Sequence, residues 1–261
     1  MNEKLTMTPG RWAAFALGLP LCLALVGYTG FDLVAQTGLG NIPVNYAFPA
    51  GARQVTVTTS GGDVVLRQVS GGRGTLTGTG VYSLIRARLT EHFADGQARV
   101  GYDCVPLPAG NCGLNATLSV PGGMTVTVAT GGGNIDAVGT TGHVSLYTSG
   151  GDVTANQVAG PVLFSTDGGN IQATAVTATQ LTAETGGGDI DIVFTTVPRD
   201  VEVSTDGGNV TIVVPPGPTQ YHVVANTAGG NVTDTLNQET TSPNLITATS
   251  GGGDITITTS G

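Results

Sequence analysis

Apolar and polar residues alternate along most of the chain, and the alternation is broken at intervals by a pair of glycines. The break has a constant form, Gly-Gly-[Asp/Asn]-[Val/Ile]. It occurs eight times, with its acidic or amide residue at Asp63, Asn134, Asp152, Asn170, Asp189, Asn209, Asn231 and Asp254. Before the pair, apolar residues hold every second position, as in Val55/Val57, Val126/Val128, Val144/Leu146, Val162/Phe164 and Leu181/Ala183. Polar residues such as Thr56, Ser145 and Thr182 lie between them. After the pair the alternation resumes in Val64/Leu66, Ile190/Ile192, Val210/Ile212 and Ile255/Ile257. A period of two on both sides predicts strand, turn, strand, with one face of each strand buried. The β-branched residues that dominate these stretches suit that geometry. Two positions before every pair stands a hydroxyl: Thr59, Thr130, Thr148, Thr166, Thr185, Thr205, Thr227 or Ser250.

Successive copies are separated by 71, 18, 18, 19, 20, 22 and 23 residues, so seven form an unbroken array and an insertion sets the first apart. Two all-β architectures fit this pattern. In an antiparallel meander or sandwich, each glycine pair is a two-residue hairpin with positive φ at both glycines. In a parallel β-solenoid of about eight coils, each pair is a corner, and the next coil stacks about 4.8 Å above it. The solenoid is favoured because the two strands of each coil cover one another, whereas a meander needs a second layer. In that arrangement the Thr column points inward, its methyl group in the core and its hydroxyl on the turn backbone. The Asp/Asn column stacks along the outside, where two carboxylates about 5 Å apart repel by roughly 1 kcal/mol in water. Mixing Asp with Asn relieves this. Asp167 and Asp206, just before their glycine pairs, occur only in copies whose later residue is Asn170 or Asn209.

Tandem strands punctuated by this motif at about 20 residues resemble the bacterial "putative adhesin" β-strand-repeat family, a domain of unknown function. The resemblance covers roughly residues 43–261. It implies a bacterial envelope protein with a β-solenoid fold and no established activity, and the word adhesin is itself an analogy at the level of fold.

The N-terminal residues follow a different pattern. Trp12 to Phe31 is a run of 20 residues without charge, a length that matches the bilayer core at about 1.5 Å per residue. Lys4 and Arg11 precede it and Asp32 follows it, which places a short N-terminus (1–11) in the cytoplasm. A transmembrane signal anchor (12–35) is the preferred reading. A cleaved signal peptide is the rival, weakened by Leu33 at −3 of the nearest small-residue site, Leu33-Val34-Ala35. The expected order is then a linker (36–52), the first repeat with a membrane-proximal β insertion (53–123), and the seven-coil array (124–261), with the C-terminal domain outside the cell membrane. In the insertion Cys104 and Cys112 stand eight residues apart, suited to a small structural disulfide in an oxidising compartment. The same region holds Arg67, Arg73, Arg86, Arg88 and Arg99. It is expected to form a cap or a side sheet, with the arginines available to lipid headgroups or a partner.

Composition narrows the function. Of 261 residues 42 are Gly, 10% are charged and the net charge is −9. From Met124 onward twelve acids face a single base, Arg199. That excludes the basic face a nucleic-acid binder needs. His92, His143 and His222 fall in different phases of the pattern, the glycine pairs lack the Lys and helix of a phosphate loop, and Asp189/Asp191 and Asp200/Glu202 alternate onto outward faces. No catalytic constellation emerges, so no enzyme and no cofactor are expected. Calcium is the one ligand worth carrying, through Asp152, Asp167, Asp189 and Asp206 on neighbouring coils, although the Gly-Gly-x-Gly-x-Asp spacing of calcium β-rolls is missing. The leading expectation is a membrane-anchored extracytoplasmic structural or interaction module. Its partner would be an envelope protein or surface polymer, and self-association through the sheet edge of the last copy is a further expectation. The alternative is the ectodomain of an envelope-stress or signalling system that works through a membrane partner.

Overall fold

The computed structural model describes residues 39–105 and 112–260; the expected cytoplasmic tail and membrane helix lie outside the described residues. Among the described residues, no helix is long and apolar enough to cross a membrane. The strands are β1 (Leu39–Ala47), β2 (Gln54–Thr59), β3 (Val64–Val69), β4 (Thr75–Ser83), β5 (Arg88–Ala94), β6 (Gln97–Asp103) and β7 (Gly113–Pro121). The array follows as β8 (Thr125–Thr130), β9 (Ile135–Val138), β10 (Val144–Thr148), β11 (Val153–Asn156), β12 (Val162–Thr166), β13 (Ile171–Val176), β14 (Gln180–Thr185) and β15 (Ile190–Phe194). It ends with β16 (Asp200–Thr205), β17 (Val210–Val214), β18 (His222–Thr227), β19 (Val232–Asp234), β20 (Leu245–Ser250) and β21 (Ile255–Thr259).

Each glycine pair is a corner. The strand before it joins one sheet and the strand after it joins the other, giving sheets of order β1-β4-β7-β3-β9-β11-β13-β15-β17-β21-β19 and β18-β20-β16-β14-β12-β10-β8-β2-β6-β5. Repeat strands pair in parallel and in register, so equivalent residues stack: Val144 on Val162, then Leu181, then Val201. The fold is therefore an all-β parallel solenoid, not a meander. The alternate apolar residues form its buried core between the sheets. In four coils a large residue on one sheet goes with a small one on the other: Leu146 with Ala155, Phe164 with Ala173, Ile192 with Ala183, Ile257 with Ala248. Close packing between two parallel sheets favours that compensation.

The stacking order departs from the chain order at both ends. The insertion adds a ninth layer beyond the eight repeat coils: β6 and β7 continue the two sheets past β2 and β3 in parallel. In this layer Tyr102 takes the register position of Thr59, is buried, and donates its hydroxyl to the Val81 carbonyl at 3.1 Å. Burial, and secondarily Tyr82, raises its pKa, which keeps that donor protonated. The corner between β6 and β7 carries the Cys104–Cys112 disulfide, with Cα atoms 6.1 Å apart. Antiparallel β4 and β1 then cover one sheet and antiparallel β5 the other. The residues expected to form a linker, 36–52, thus contain β1. Ile42, Val44, Tyr46 and Phe48 hold its inward period of two, and the inward Val44 and Phe48 are fully buried.

At the other end, β20–β21 stacks directly on β16–β17, and β18–β19 is outermost. The last copy is therefore interior, and the sheet edge expected there belongs instead to β18 and β19. Asp234 supplies the reason. It pairs in register with Ile257, in the column that elsewhere holds Leu66, Ala155, Ile192 and Ile212. A coil with an acid in its core column cannot sit between two others, since burying an unpaired carboxylate costs several kcal/mol. At the end of the stack Asp234 stays half-exposed and accepts a hydrogen bond from the Leu236 N–H at 2.9 Å.

The corners explain the invariant residues. A Cβ on the second glycine would lie 1.9 Å from the carbonyl oxygen of the equivalent glycine one coil below at Gly133, Gly169 and Gly208, and 2.0 Å at Gly188. Only Gly62 among the eight second glycines has positive φ. Close approach, not backbone conformation, excludes a side chain from the rest. The hydroxyl column is buried as expected except at Thr227, which is half-buried in the outermost coil. The Thr185 hydroxyl accepts from the Gly188 N–H of its own corner at 3.2 Å and donates to the Gly169 carbonyl one coil below at 2.8 Å. Thr148, Thr166, Thr205 and Ser250 repeat both bonds. Thr185→Val leaves a buried donor and acceptor unpaired and is expected to destabilise the protein by about 2–4 kcal/mol. Thr185→Ser, which keeps the hydroxyl as Ser250 does, should lose only about 1 kcal/mol. Denaturant titration separates the two; equal losses would show that the hydroxyl is dispensable.

Candidate functional site

The outward side-chain array that runs the length of the described stack is the Asp/Asn column at the corners. Each Asp or Asn inside the column makes the same set of contacts. Asn134 donates its backbone N–H to Asp63 Oδ1 at 2.8 Å, and its own Oδ1 accepts from the Asp152 N–H at 2.9 Å. Its carbonyl accepts from the Val64 N–H at 2.9 Å. The chain of side-chain acceptors continues through Asp152 to Asn170, Asn170 to Asp189 and Asp189 to Asn209. It then passes to Asp254 and ends on Asn231, following the exchanged order of the last two coils. At the opposite end Asn115 of β7 accepts from the Asp63 N–H at 2.9 Å, extending the column by one residue outside the Gly-Gly motif.

In space the column reads Asn115, Asp63, Asn134, Asp152, Asn170, Asp189, Asn209, Asp254, Asn231. Alternation of amide and acid is complete. Chain order has two amides in succession, Asn209 and Asn231, and the exchange of the last coils removes that irregularity. Both residue types offer the same Oδ1 acceptor to the next layer, so that bond does not choose between them; charge does, and at Asn209 the amide also donates to Asp189 Oδ1 at 3.2 Å. Neighbouring carboxylates about 4.8 Å apart would repel by roughly 0.9 kcal/mol in water. Alternation moves the nearest pair to about 9.6 Å, beyond a Debye length of about 8 Å at physiological ionic strength.

The same geometry separates the calcium candidates. Asp152 and Asp189 lie two layers apart with Asn170 between them. Asp167 and Asp206 belong to the layers of Asn170 and Asn209, with the layer of Gly186 between. Among the described residues no three His, Cys, Asp or Glu side chains come together as a metal site. His92 lies exposed on β5 and His143 exposed before β10, while His222 opens β18. Asp191, Asp200 and Glu202 are on outward faces. Shallow grooves follow the surface. One of about 340 Å³ is lined by Thr58, Ser60, Asp103, Tyr147 and Asp167, and another of about 240 Å³ by His143, Gln180, Asp200 and Glu202.

The family model for Toastrack DUF4097 matches residues 26–261, nearly the whole chain. The chain belongs to the Toastrack DUF4097 family. Solved structures similar to this Toastrack chain include a "putative adhesin" from Bacteroides fragilis, 15% identical with a TM-score of 0.44, covering 85% of this chain and 97% of that one. A "putative adhesin" from Parabacteroides merdae is 12% identical with a TM-score of 0.41, over 85% and 96% of the two chains. A "putative cell adhesion protein" from Clostridium sporogenes is 12% identical with a TM-score of 0.38, over 84% and 100%. No curated protein matches.

Asn170→Asp tests the Toastrack column directly, because the hydrogen-bond acceptor stays and only the charge changes. Three carboxylates then follow one another at positions 152, 170 and 189. The variant is expected to be less stable by about 1–2 kcal/mol at neutral pH and low salt. The introduced carboxyl binds its proton more tightly folded than unfolded, so the deficit vanishes as the pH falls below the carboxylate range and grows as it rises. Thermal melts against pH and salt check this; a deficit independent of both would refute the electrostatic account.

Proposed function

We propose that this Toastrack protein is a non-enzymatic, membrane-anchored display module of the cell envelope that recruits its partner by strand addition at the outer end of the solenoid. One observation supports the reading above others: the two ends of the stack differ in kind. At one end β1 begins at Leu39, soon after the uncharged run Trp12–Phe31, and antiparallel strands cover the coil edges. At the other end the outermost strands are β18 and β19, parallel repeat strands of the stack itself, with no antiparallel strand beyond them among the described residues; the edge strands β1 and β5 of the first end are antiparallel additions. Eight layer steps of about 4.8 Å place that open end roughly 38 Å from the first layer. An anchor at residues 12–35 would hold the covered end at the membrane and present the open end outward.

The open edge has the groups that strand addition uses. In a parallel ladder alternate residues direct both backbone groups to the same neighbour. The His222 N–H goes to Asn244 and the Ala228 N–H to Ser250, so the even residues of β18 serve β20. Odd residues face away from it. Of these, Tyr221 is covered by its own chain, donating to the Asn237 carbonyl and accepting from the Glu239 N–H. Val223 and Ala225 follow on the open side, and their side chains are only half-buried because no further coil covers them. Exposed Val224 and Val232 add apolar surface beside this edge. Such an edge is a template for an extended segment of another envelope chain or a second copy.

Ala225→Pro removes an outward N–H while leaving the bonds to β20 in place. In the intact protein in its own membrane, a Cys introduced by Val224→Cys should form crosslinked species that Ala225→Pro reduces severalfold. Crosslinking unchanged by the proline would sink strand addition. Crosslinks confined to the flat sheet faces would move the interaction there.

A further inference from the structure

We propose that the loop between β4 and β5, residues 84–87, together with Arg88 at the start of β5, is a second membrane contact: an apolar tip with neighbouring arginines that docks on anionic lipid headgroups. The proposal rests on the anchored reading given above.

The loop lies where the chain enters the solenoid. Leu39, the first residue of β1, pairs with Ser83, the last residue of β4. Seven residues, 32–38, separate Leu39 from the uncharged run ending at Phe31. Even fully extended, that connection spans at most about 28 Å, so the corner formed by Leu39, Ser83 and Leu84 must stay near any bilayer that holds the run. The disulfide corner is adjacent, because Val81 pairs with Gly113 and Arg88 with Asp103.

This corner combines exposed apolar side chains with arginines. Leu84 and Ile85 are 41% and 46% exposed, and Val105 beside the disulfide is 49% exposed. Arg86 and Arg88 are exposed next to them. Ala87 between the arginines is buried, so it pins the loop while its neighbours point outward. Leu84 has φ of 57°, a left-handed conformation that a leucine adopts only at a cost, and the Ile85 N–H bonds back to the Ser83 carbonyl. The fold thus holds two large apolar side chains in water at a tight turn. Strain of this kind is held where it positions side chains for a contact, and exposed apolar side chains at such a tip suit an apolar partner.

Charge selects the partner. Residues 39–123 carry six arginines against Asp63, Glu91, Asp95 and Asp103, whereas residues 124–261 carry twelve acids against Arg199. Asp103 opposes Arg88 in register, and the corner stays net positive with Arg86. An anionic bilayer attracts that end and repels the acidic array, so the stack would stand away from the surface rather than lie on it. Shallow apolar insertion flanked by arginine is the arrangement that suits an interface, with guanidinium groups on lipid phosphates.

The test uses the full chain with Trp12→Phe and Ile85→Trp, reconstituted into vesicles of phosphatidylcholine alone or mixed with phosphatidylglycerol, each with brominated acyl chains. Flotation reads the anchor, and tryptophan quenching reads the loop. The expected result is flotation in both, quenching in the phosphatidylglycerol vesicles only, and loss of quenching in high salt or with Arg86→Glu/Arg88→Glu. A probe at the far end, Val232→Trp, should stay unquenched. Flotation without quenching at position 85 overturns the docking loop and leaves the anchor standing. A chain that floats in neither vesicle overturns the anchor, and the docking loop with it.

Discussion

The whole structure depends on how closely consecutive corners approach. Parallel strands stack at about 4.8 Å whatever their sequence, but a corner has no ladder of its own to satisfy its backbone. Here the corners close until a Cβ on the second glycine would stand about 2 Å from the carbonyl below. That contact accounts for the other invariant positions. With the backbones so near, the Thr hydroxyl reaches the N–H of its own coil and the carbonyl of the next. The Asp or Asn side chain likewise reaches the N–H of the coil above. Each corner is therefore completed by its neighbour, as expected of a fold whose stability is a sum of layer interfaces.

The same coupling limits what can end the stack. An interior coil must supply apolar residues in every core column and leave its outer side chains free of repulsion. The β18–β19 coil fails the first requirement at Asp234, and it is placed last in space although it is seventh in the repeat. The β6–β7 layer meets both with different residues: Tyr102 replaces the Thr and brings its own hydroxyl partner, and Asn115 replaces the motif Asx. Gly80 belongs to this substitution, since a Cβ there would lie 2.4 Å from the Tyr102 ring. Ends are thus built from departures in the repeat rather than from separate domains.

Much of this was legible from the residues. The period of two and the glycine pair predict strand, turn, strand; self-covering of the coils favours parallel stacking over a meander, and the hydroxyl column then points inward. What escaped was order. Pairing of each coil with its successor is the default reading of a tandem repeat, and nothing local contradicts it in β18–β21. Yet Asp234 stands where the other copies have Leu, Ala or Ile, and an acid in a core column was a signal of an end position. The β1 strand escaped for another reason. Ile42, Val44, Tyr46 and Phe48 alternate plainly, but without a glycine pair beside them they carry no mark of the repeat. Asn115 was invisible in principle, because its place in the column depends on the β6–β7 layer stacking under β2–β3.

The corner column also bears on where function can reside. A row of acids at a solvent edge suggests a cation site, but here the side-chain oxygens already accept backbone N–H groups from the next layer. Their alternation with amides keeps the carboxylates two layers apart. A cation would have to compete with those hydrogen bonds and would find one acid in every second layer of the column where it needs several converging oxygens. Repeating interior layers satisfy themselves in this way, and a perfectly satisfied layer has little left with which to bind. Unspent backbone groups, exposed apolar side chains and unbalanced positive charge occur where the repeat stops. In a solenoid of this kind, recognition is expected to concentrate at the ends, because that is where the stacking rule leaves groups without a neighbour.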